Sequence, residues 1–184
     1  MQADDASLVK EARNGNEAAF VMLYSRHRTA VFRFAWRMTG STEAAEDATQ
    51  ECFLTLARGP AFDAGRGPLQ TYLFGIARHA VFRHLRIYEH EIEEVEEAAA
   101  PPDVLHNLLV AERSELVRQA IASLPALQRE AIILFEYEEL PLDNIAAITG
   151  VEVGAVKGRL SRARESLRKR LEPLLFRGTE RSCL

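Results

Sequence analysis

VGAVKGRLSRARESLRKRL, residues 153–171, carries seven cationic side chains (Lys157, Arg159, Arg162, Arg164, Arg168, Lys169, Arg170) in a chain whose formal net charge is -4. On a helical wheel of about 100° per residue, Val153, Val156, Leu160, Ala163, Leu167 and Leu171 fall within about 80° of one another. That spacing predicts a helix with one buried stripe. Gly158, Ser161, Arg162, Glu165 and Lys169 take the opposite face, and Lys157, Arg159, Arg164 and Arg168 flank the stripe. Small side chains around one long Arg, with cations on both shoulders, suit a helix lying in a major groove. Flanking cations would meet phosphates, and outward side chains near the N-terminus would meet base edges. Just before it come the apolar LDNIAAI and the pair Thr149-Gly150. Helix, Gly-containing turn and basic helix together predict a helix-turn-helix. A solvated helix dressed for solubility is the alternative, and seven cations against three anions (Glu152, Glu165, Glu172) weigh against it.

Working outward, the charge is strongly local. Residues 1–88 and 117–184 are each net +2, whereas 89–116 are net -8. The acidic stretch EHEIEEVEEAAAPPD also breaks the apolar period, which predicts a flexible solvated linker over 89–114 between two small domains. Besides solubility, such a segment could compete with nucleic acid for the basic faces on either side. The chain has 184 residues and is 47% apolar, enough for a real core. No alternating strand pattern occurs, so the fold class expected is all-α. Helices are predicted over Ala6–Arg13, Glu17–Thr39 (ended by Gly40), Ser41-Thr42 to Arg58, and Pro68 to about Ile87. After the linker they are predicted over Val104–Ala122, from Ser123-Pro125 to about Tyr137, and over Leu142–Thr149.

No apolar run is long enough to cross a membrane, and MQADDASLVK lacks the basic-then-apolar form of a signal peptide. Two cysteines, Cys52 in an apolar pattern and Cys183 near the end, do not make a disulfide framework, so a cytoplasmic protein without membrane insertion is expected. The histidines show no metal-ligand spacing, and neither a metal nor another cofactor is expected.

Two further stretches narrow the function. In EAAEDATQECFLTLAR, Ala44, Ala45, Ala48, Cys52 and Leu56 can form a buried stripe, leaving Asp47, Gln50, Glu51 and Leu54 on more exposed faces. An acidic and amide surface on a rigid helix suits a basic protein partner; a merely solvated face is the alternative. In FDAGRGPLQTYLFGIARHAVFRHLR, Leu69, Leu73, Ile76, Ala80 and His84 share one face, with Phe74, Arg78 and Phe82 on the other and Arg83 and Arg86 nearby. Aromatics interleaved with Arg behind a Gly-rich loop suit unstacked single-stranded bases. Equally, Phe74 and Phe82 can pack against the preceding helices.

These three motifs, in this order, resemble a sigma-70-family RNA polymerase sigma factor of the extracytoplasmic-function (ECF) group. EDATQECFLTLAR resembles its core-polymerase-binding helix. FDAGRGPLQTYLFGIARHAVFRHLR resembles its segment for the promoter -10 element. LPALQREAIILFEYEELPLDNIAAITGVEVGAVKGRLSRAR resembles its -35-reading domain. The resemblance implies a region 2-like domain over 5–88 and a region 4-like domain over 115–176. It implies a transcription initiation factor without catalytic residues that binds core polymerase, through the coiled coil of its largest subunit and its flap, and promoter DNA, and that is restrained by an anti-sigma factor. Carried over by position, Asp47, Gln50, Glu51 and Leu54 would dock on the polymerase. Arg66, Tyr72, Arg78, His79 and Arg83 would lie near the melted -10 strand. Lys157, Gly158, Arg159, Ser161, Arg162 and Arg164 would bind the -35 duplex.

Five positions depart from the group's wording. Tyr72 stands where Trp is common, Gly75 where a larger or basic residue is, His79 where Asn is, Asn144 where an acid is, and Gly158 where Ser is. The rival readings are a stand-alone regulator with a LuxR-like output domain and an enzyme acting on nucleic acid. For the latter, Glu46, Asp47 and Glu51 are the nearest approach to a metal-binding carboxylate cluster.

Overall fold

A computed structural model describes residues 4–60, 62–92 and 108–177. Eight α-helices run through the described residues, with no strand: α1 (Asp5–Arg13), α2 (Glu17–Thr39), α3 (Thr42–Arg58), α4 (Leu69–Ile92), α5 (Leu108–Ala122), α6 (Ala126–Ile132), α7 (Leu142–Thr149) and α8 (Val153–Arg177). A 3-10 turn, Ala64–Arg66, interrupts the loop before α4, and a π-helical turn, Ile133–Tyr137, extends α6. Residues 93–107, the heart of the expected acidic linker, and the tail with Cys183 lie outside the described residues.

The helix ends follow local chemistry. Side-chain oxygens of Asp4, Asn16 and Ser41 accept from backbone N–H groups of the first turns of α1, α2 and α3, which have no partner within the helix. Gly40 and Gly150 close α2 and α7 in the left-handed region, at φ 71° and 68°, a conformation that costs glycine little and other residues more.

α1 to α4 pack as one helical unit and α5 to α8 as a second. One continuous apolar core runs through both, with Leu23, Phe34, Met38, Leu56, Leu69, Leu73 and Phe74 from the first unit and Ile133, Leu134, Ile145, Val156, Leu160 and Ala163 from the second. The predicted α3 stripe is buried in full, together with Thr49 and Phe53. Cys52 lies inside it; burial pushes its thiol up to about 12, and Sγ donates to the Leu73 carbonyl at 3.3 Å. On α4 the buried face is wider than the wheel predicts. Phe74 is fully buried, its ring edge-on to Phe34 with centroids 5.3 Å apart. The expectation that Phe74 offers a stacking surface to bases is therefore corrected: α4 crosses both α2 and α3, so two of its faces are covered.

The two units also pack on each other. α4 lies against α7, and the C-terminal half of α2 lies against α5, α6 and the π turn. Glu138 follows the π turn, and its side chain is buried facing Arg37 at 3.1 Å and Arg33 at 3.6 Å. Arg129 donates to the Met38 carbonyl at the C-terminus of α2, where unpaired carbonyls favour a cation. Tyr137 lies under the Arg37 guanidinium, 4.4 Å from ring centroid to carbon.

Because Phe74 has no room to relax, Phe74→Ala is expected to cost about 3–5 kcal/mol. The measurement is the midpoint of urea unfolding, and a loss below about 1 kcal/mol would show that this ring is not central to the core.

Candidate functional site

Three groups of side chains carry the chemistry, and the fold places them on three elements. The first is the outer face of α3. Asp47 and Gln50 are exposed, and Leu54 presents an apolar side chain that is 47% exposed. Glu51 does not stand alone: Arg83 of α4 donates to its carboxylate. These residues line one open groove with Thr55, Arg58 and Gly59, so four side chains expected to meet a protein partner are contiguous. An acidic rim with one apolar knob suits a basic, helical partner surface.

The second group lies on the 59–68 loop and α4. Arg66 is exposed at the end of the 3-10 turn, which Asp63 holds by accepting from the Gly65 N–H at 2.9 Å. Tyr72 is half-buried, its ring packed on Phe62 and its hydroxyl donating to the Pro60 carbonyl at 3.1 Å. His79 is exposed. Arg83 faces α3 as described. Of these arginines Arg78 turns furthest from solvent, its side chain 18% exposed. It lies over the Phe82 ring at 4.7 Å, and its Nε donates to Glu130 at 2.6 Å across the boundary between the two units.

The third group is the N-terminal half of α8. Val156, Leu160 and Ala163 are buried and Val153, Leu167 and Leu171 partly so, matching the predicted stripe. Lys157, Ser161 and Arg162 point to solvent. Gly158 leaves space over which the Arg162 guanidinium folds; a Cβ there would stand 3.5 Å from it. Arg164 is exposed but tied to Glu136 at 2.8 Å and stacked over Phe135 at 5.3 Å. Arg159 turns inward: its side chain is only 15% exposed, and Nη1 lies 4.0 Å from Glu130. α7, the turn at Gly150 and α8 form the helix-turn-helix expected.

Glu130 thus draws one Arg from each group expected to touch DNA. Its side chain is fully buried, with Oε1 on Arg78 and Oε2 facing Arg159. The sequence reading did not single it out. Its signal was a carboxylate immediately before the apolar run AIILF (131–135), at a position where burial of an ionised acid requires buried partners. Arg37 and Glu138 were missed because they pair across the two units, and Arg129 because one of its three carbonyl partners, Met38, lies across that boundary.

The comparisons with known proteins agree with this layout. Residues 23–89 match the family model for sigma-70 region 2, and residues 114–167 match that for sigma-70 region 4. The ECF RNA polymerase sigma-E factor of Escherichia coli (strain K12) is 31% identical over 96% of this chain and 98% of its own. The RNA polymerase sigma-H factor of Pseudomonas aeruginosa is 30% identical over 95% and 97%. Among solved structures, the sigma factor RpoE in complex with the anti-sigma factor NepR from Bartonella quintana superposes with a TM-score of 0.66 at 28% identity, covering 83% of this chain and 96% of that one. CnrH in complex with the cytosolic domain of CnrY gives 0.68 at 26%, covering 92% and 97%. A two-unit helical protein with these matched regions is a transcription initiation factor. The chain belongs to the ECF group of sigma-70-family RNA polymerase sigma factors. A stand-alone regulator is not favoured, because the first half matches sigma region 2.

Burial raises the Glu130 carboxyl above the ordinary glutamate range, against the pull of Arg78 and Arg159. The folded protein therefore holds this proton more tightly than the unfolded chain does. Between the unfolded and the higher folded value the native state binds more protons, so this group's contribution to stability falls as pH rises through that window. Glu130→Gln abolishes the titration. The stability of the wild type minus that of Glu130→Gln, from urea unfolding at a series of pH values, is expected to decline as pH rises from the ordinary glutamate range upward. A difference that grows with pH would contradict a raised value.

Proposed function

We propose that this sigma factor binds core RNA polymerase through α3 and reads two promoter elements through the 59–68 loop with α4 and through α8. The observation that carries the reading is the contiguity of Asp47, Gln50, Glu51 and Leu54 on one exposed groove. Asp47, Gln50 and Glu51 meet the coiled coil of the largest subunit, and Leu54 supplies the apolar contact at its edge. The region 4-like unit docks on the flap. Arg66, Tyr72, His79 and Arg83 lie near the unpaired -10 strand, joined by Arg78 once it leaves Glu130. On α8, Lys157 and Arg164 neutralise phosphates, Ser161 contacts the groove, and Gly158 leaves room for the backbone to approach. Arg162, the long side chain at the centre of the exposed face, reads a base, worth about 1–3 kcal/mol of discrimination if bidentate to guanine. Arg159 serves the duplex only after a change of partner.

Promoter elements named -10 and -35 lie about 25 base pairs apart, which is about 85 Å of duplex at ~3.4 Å per base pair. One carboxylate touches both Arg78 and Arg159 in this structure. A body this closed cannot serve two elements so far apart, so the units separate on the polymerase and the Glu130 and Glu138 ion pairs break. The domains proposed over residues 5–88 and 115–176 extend to the end of α4 at Ile92 and back to the start of α5 at Leu108. The acidic residues 93–107, between the end of α4 and the start of α5, join the two units.

The protein acts without catalytic chemistry or a cofactor, in the cytoplasm; among the described residues no helix is long and apolar enough to cross a membrane. An anti-sigma factor is its restraining partner, as supported by the anti-sigma factor bound to the similar RpoE. Purified protein is expected to bind core polymerase saturably. Asp47→Arg/Glu51→Arg is expected to lose at least tenfold in affinity while keeping its helical circular dichroism. Unchanged affinity in that folded double variant would overturn the docking assignment.

A further inference from the structure

Arg13 ends α1, and its guanidinium leaves its own helix. Nη1 donates to the carbonyls of Leu56 at 3.2 Å and Pro60 at 3.1 Å, and Nη2 donates to that of Gly59 at 2.7 Å. The Leu56 carbonyl belongs to the last turn of α3, where helical partners run out and a cation complements the dipole. Gly59 and Pro60 are different: they open the loop that leads to Arg66. At the far side of that loop the Tyr72 hydroxyl donates to the same Pro60 oxygen, at 3.1 Å. A carbonyl oxygen has two lone pairs, so Arg13 and Tyr72 between them occupy it.

The entry of the loop is thus held from two sides, by α1 and by α4. Further along, the Asp63 carboxylate holds the Gly65 N–H, Arg66 stands exposed, and Gly67 leaves the turn at φ 134°. The donor itself is anchored. Leu8 and Val9 of α1 are buried, and Asp5 pairs with Arg26 and His27 of α2. α1 lies ahead of the segment matched to sigma region 2, which begins at residue 23. Tyr72 supplies the hydroxyl that shares the oxygen.

We propose that Arg13 is a positioning residue for -10 recognition: from α1 it fixes the entry of the 59–68 loop, in concert with Tyr72, so that Arg66 meets the unpaired strand in one geometry. This rests on the reading above, in which that loop faces the -10 strand. A guanidinium fork can hold three carbonyls at once; a lysine ammonium is a single point charge and can replace it only in part.

The test uses holoenzyme reconstituted with wild type, Arg13→Ala, Arg13→Lys, Tyr72→Phe, Arg13→Ala/Tyr72→Phe and Arg66→Ala. The DNA is a promoter selected by the wild-type holoenzyme from a library randomised over its -10 element, with the -35 element fixed, plus single-base variants of the selected -10 sequence. Affinity for core polymerase and rate of strand opening by permanganate reactivity are both read. Arg13→Ala is expected to keep core affinity within twofold, slow opening five- to tenfold and flatten the preference among -10 variants. Arg13→Lys should recover part of that preference. Because the two donors share one oxygen, the double variant should lose less than the product of the single losses. Opening and preference unchanged in Arg13→Ala, while Arg66→Ala flattens the preference, would overturn the proposal and leave the loop's role standing. Losses in Arg13→Ala that merely track a fall in core affinity and thermal midpoint would reduce it to a structural cap. An unchanged preference in Arg66→Ala would overturn the loop assignment itself, and this proposal with it.

Discussion

The ion pair between Arg78 and Glu130, 2.6 Å long and closed off from solvent on the Glu130 side, decides how the two halves of this sigma factor sit together. Taking a carboxylate out of water costs several kcal/mol, and its attraction to a partner roughly repays that cost only in good geometry. Such a pair adds little net stability compared with a packed apolar contact. Breaking it from one side is expensive, about 3–5 kcal/mol, because a buried charge is left alone. The arrangement of α4 against α6 and α7 therefore tolerates no sliding: a shift that moves Arg78 off Glu130 strands the acid. Arg159 on the other oxygen and the Arg33–Glu138–Arg37 cluster extend the same constraint along the boundary.

On the proposed reading, two of the charges that organise the fold, Arg78 and Arg159, are also ones that meet nucleic acid. Arg78 and Arg159 each have a carboxylate now and would have a phosphate or a base later. Exchange of one anionic partner for another costs less than exposure of an unpaired cation, so the proposed opening of the two units would be coupled to engagement of DNA. Lys157 and Arg162, by contrast, are exposed on α8 from the outset. A first, sequence-tolerant contact by such groups would precede the release of the buried ones.

Much of this was legible from residue spacing. A wheel drawn on 153–171 places the buried stripe of α8 correctly, because an amphipathic helix in a small unit buries one face whatever its neighbours are. The caps at Ser41 and the stops at Gly40 and Gly150 were legible because they depend on atoms a few residues apart. Which of its two expected roles Phe74 takes was not, since a wheel sees one helix and not that α4 is covered by two. Nor was the inward turn of Arg78 and Arg159: both were expected to face DNA, and their partner lies 52 positions away for one and 29 for the other. The helix α4 continues past the expected end near Ile87 to Ile92, and α5 begins at Leu108. Glutamates are good helix formers, so net charge alone does not mark where a helix stops.

The most direct test of this account is the distance between the two units before and after assembly. Dyes on Glu43→Cys in α3 and Lys169→Cys in α8, with Cys183→Ser and the buried Cys52 left in place, report it by energy transfer. The free protein should show a single short distance. Core polymerase and promoter DNA together should lengthen it by tens of ångströms, on the scale of the ~3.4 Å per base pair that separates the two elements. An unchanged short distance in a complex that opens promoter DNA would contradict the claim that the ion pairs on Glu130 part when the protein works.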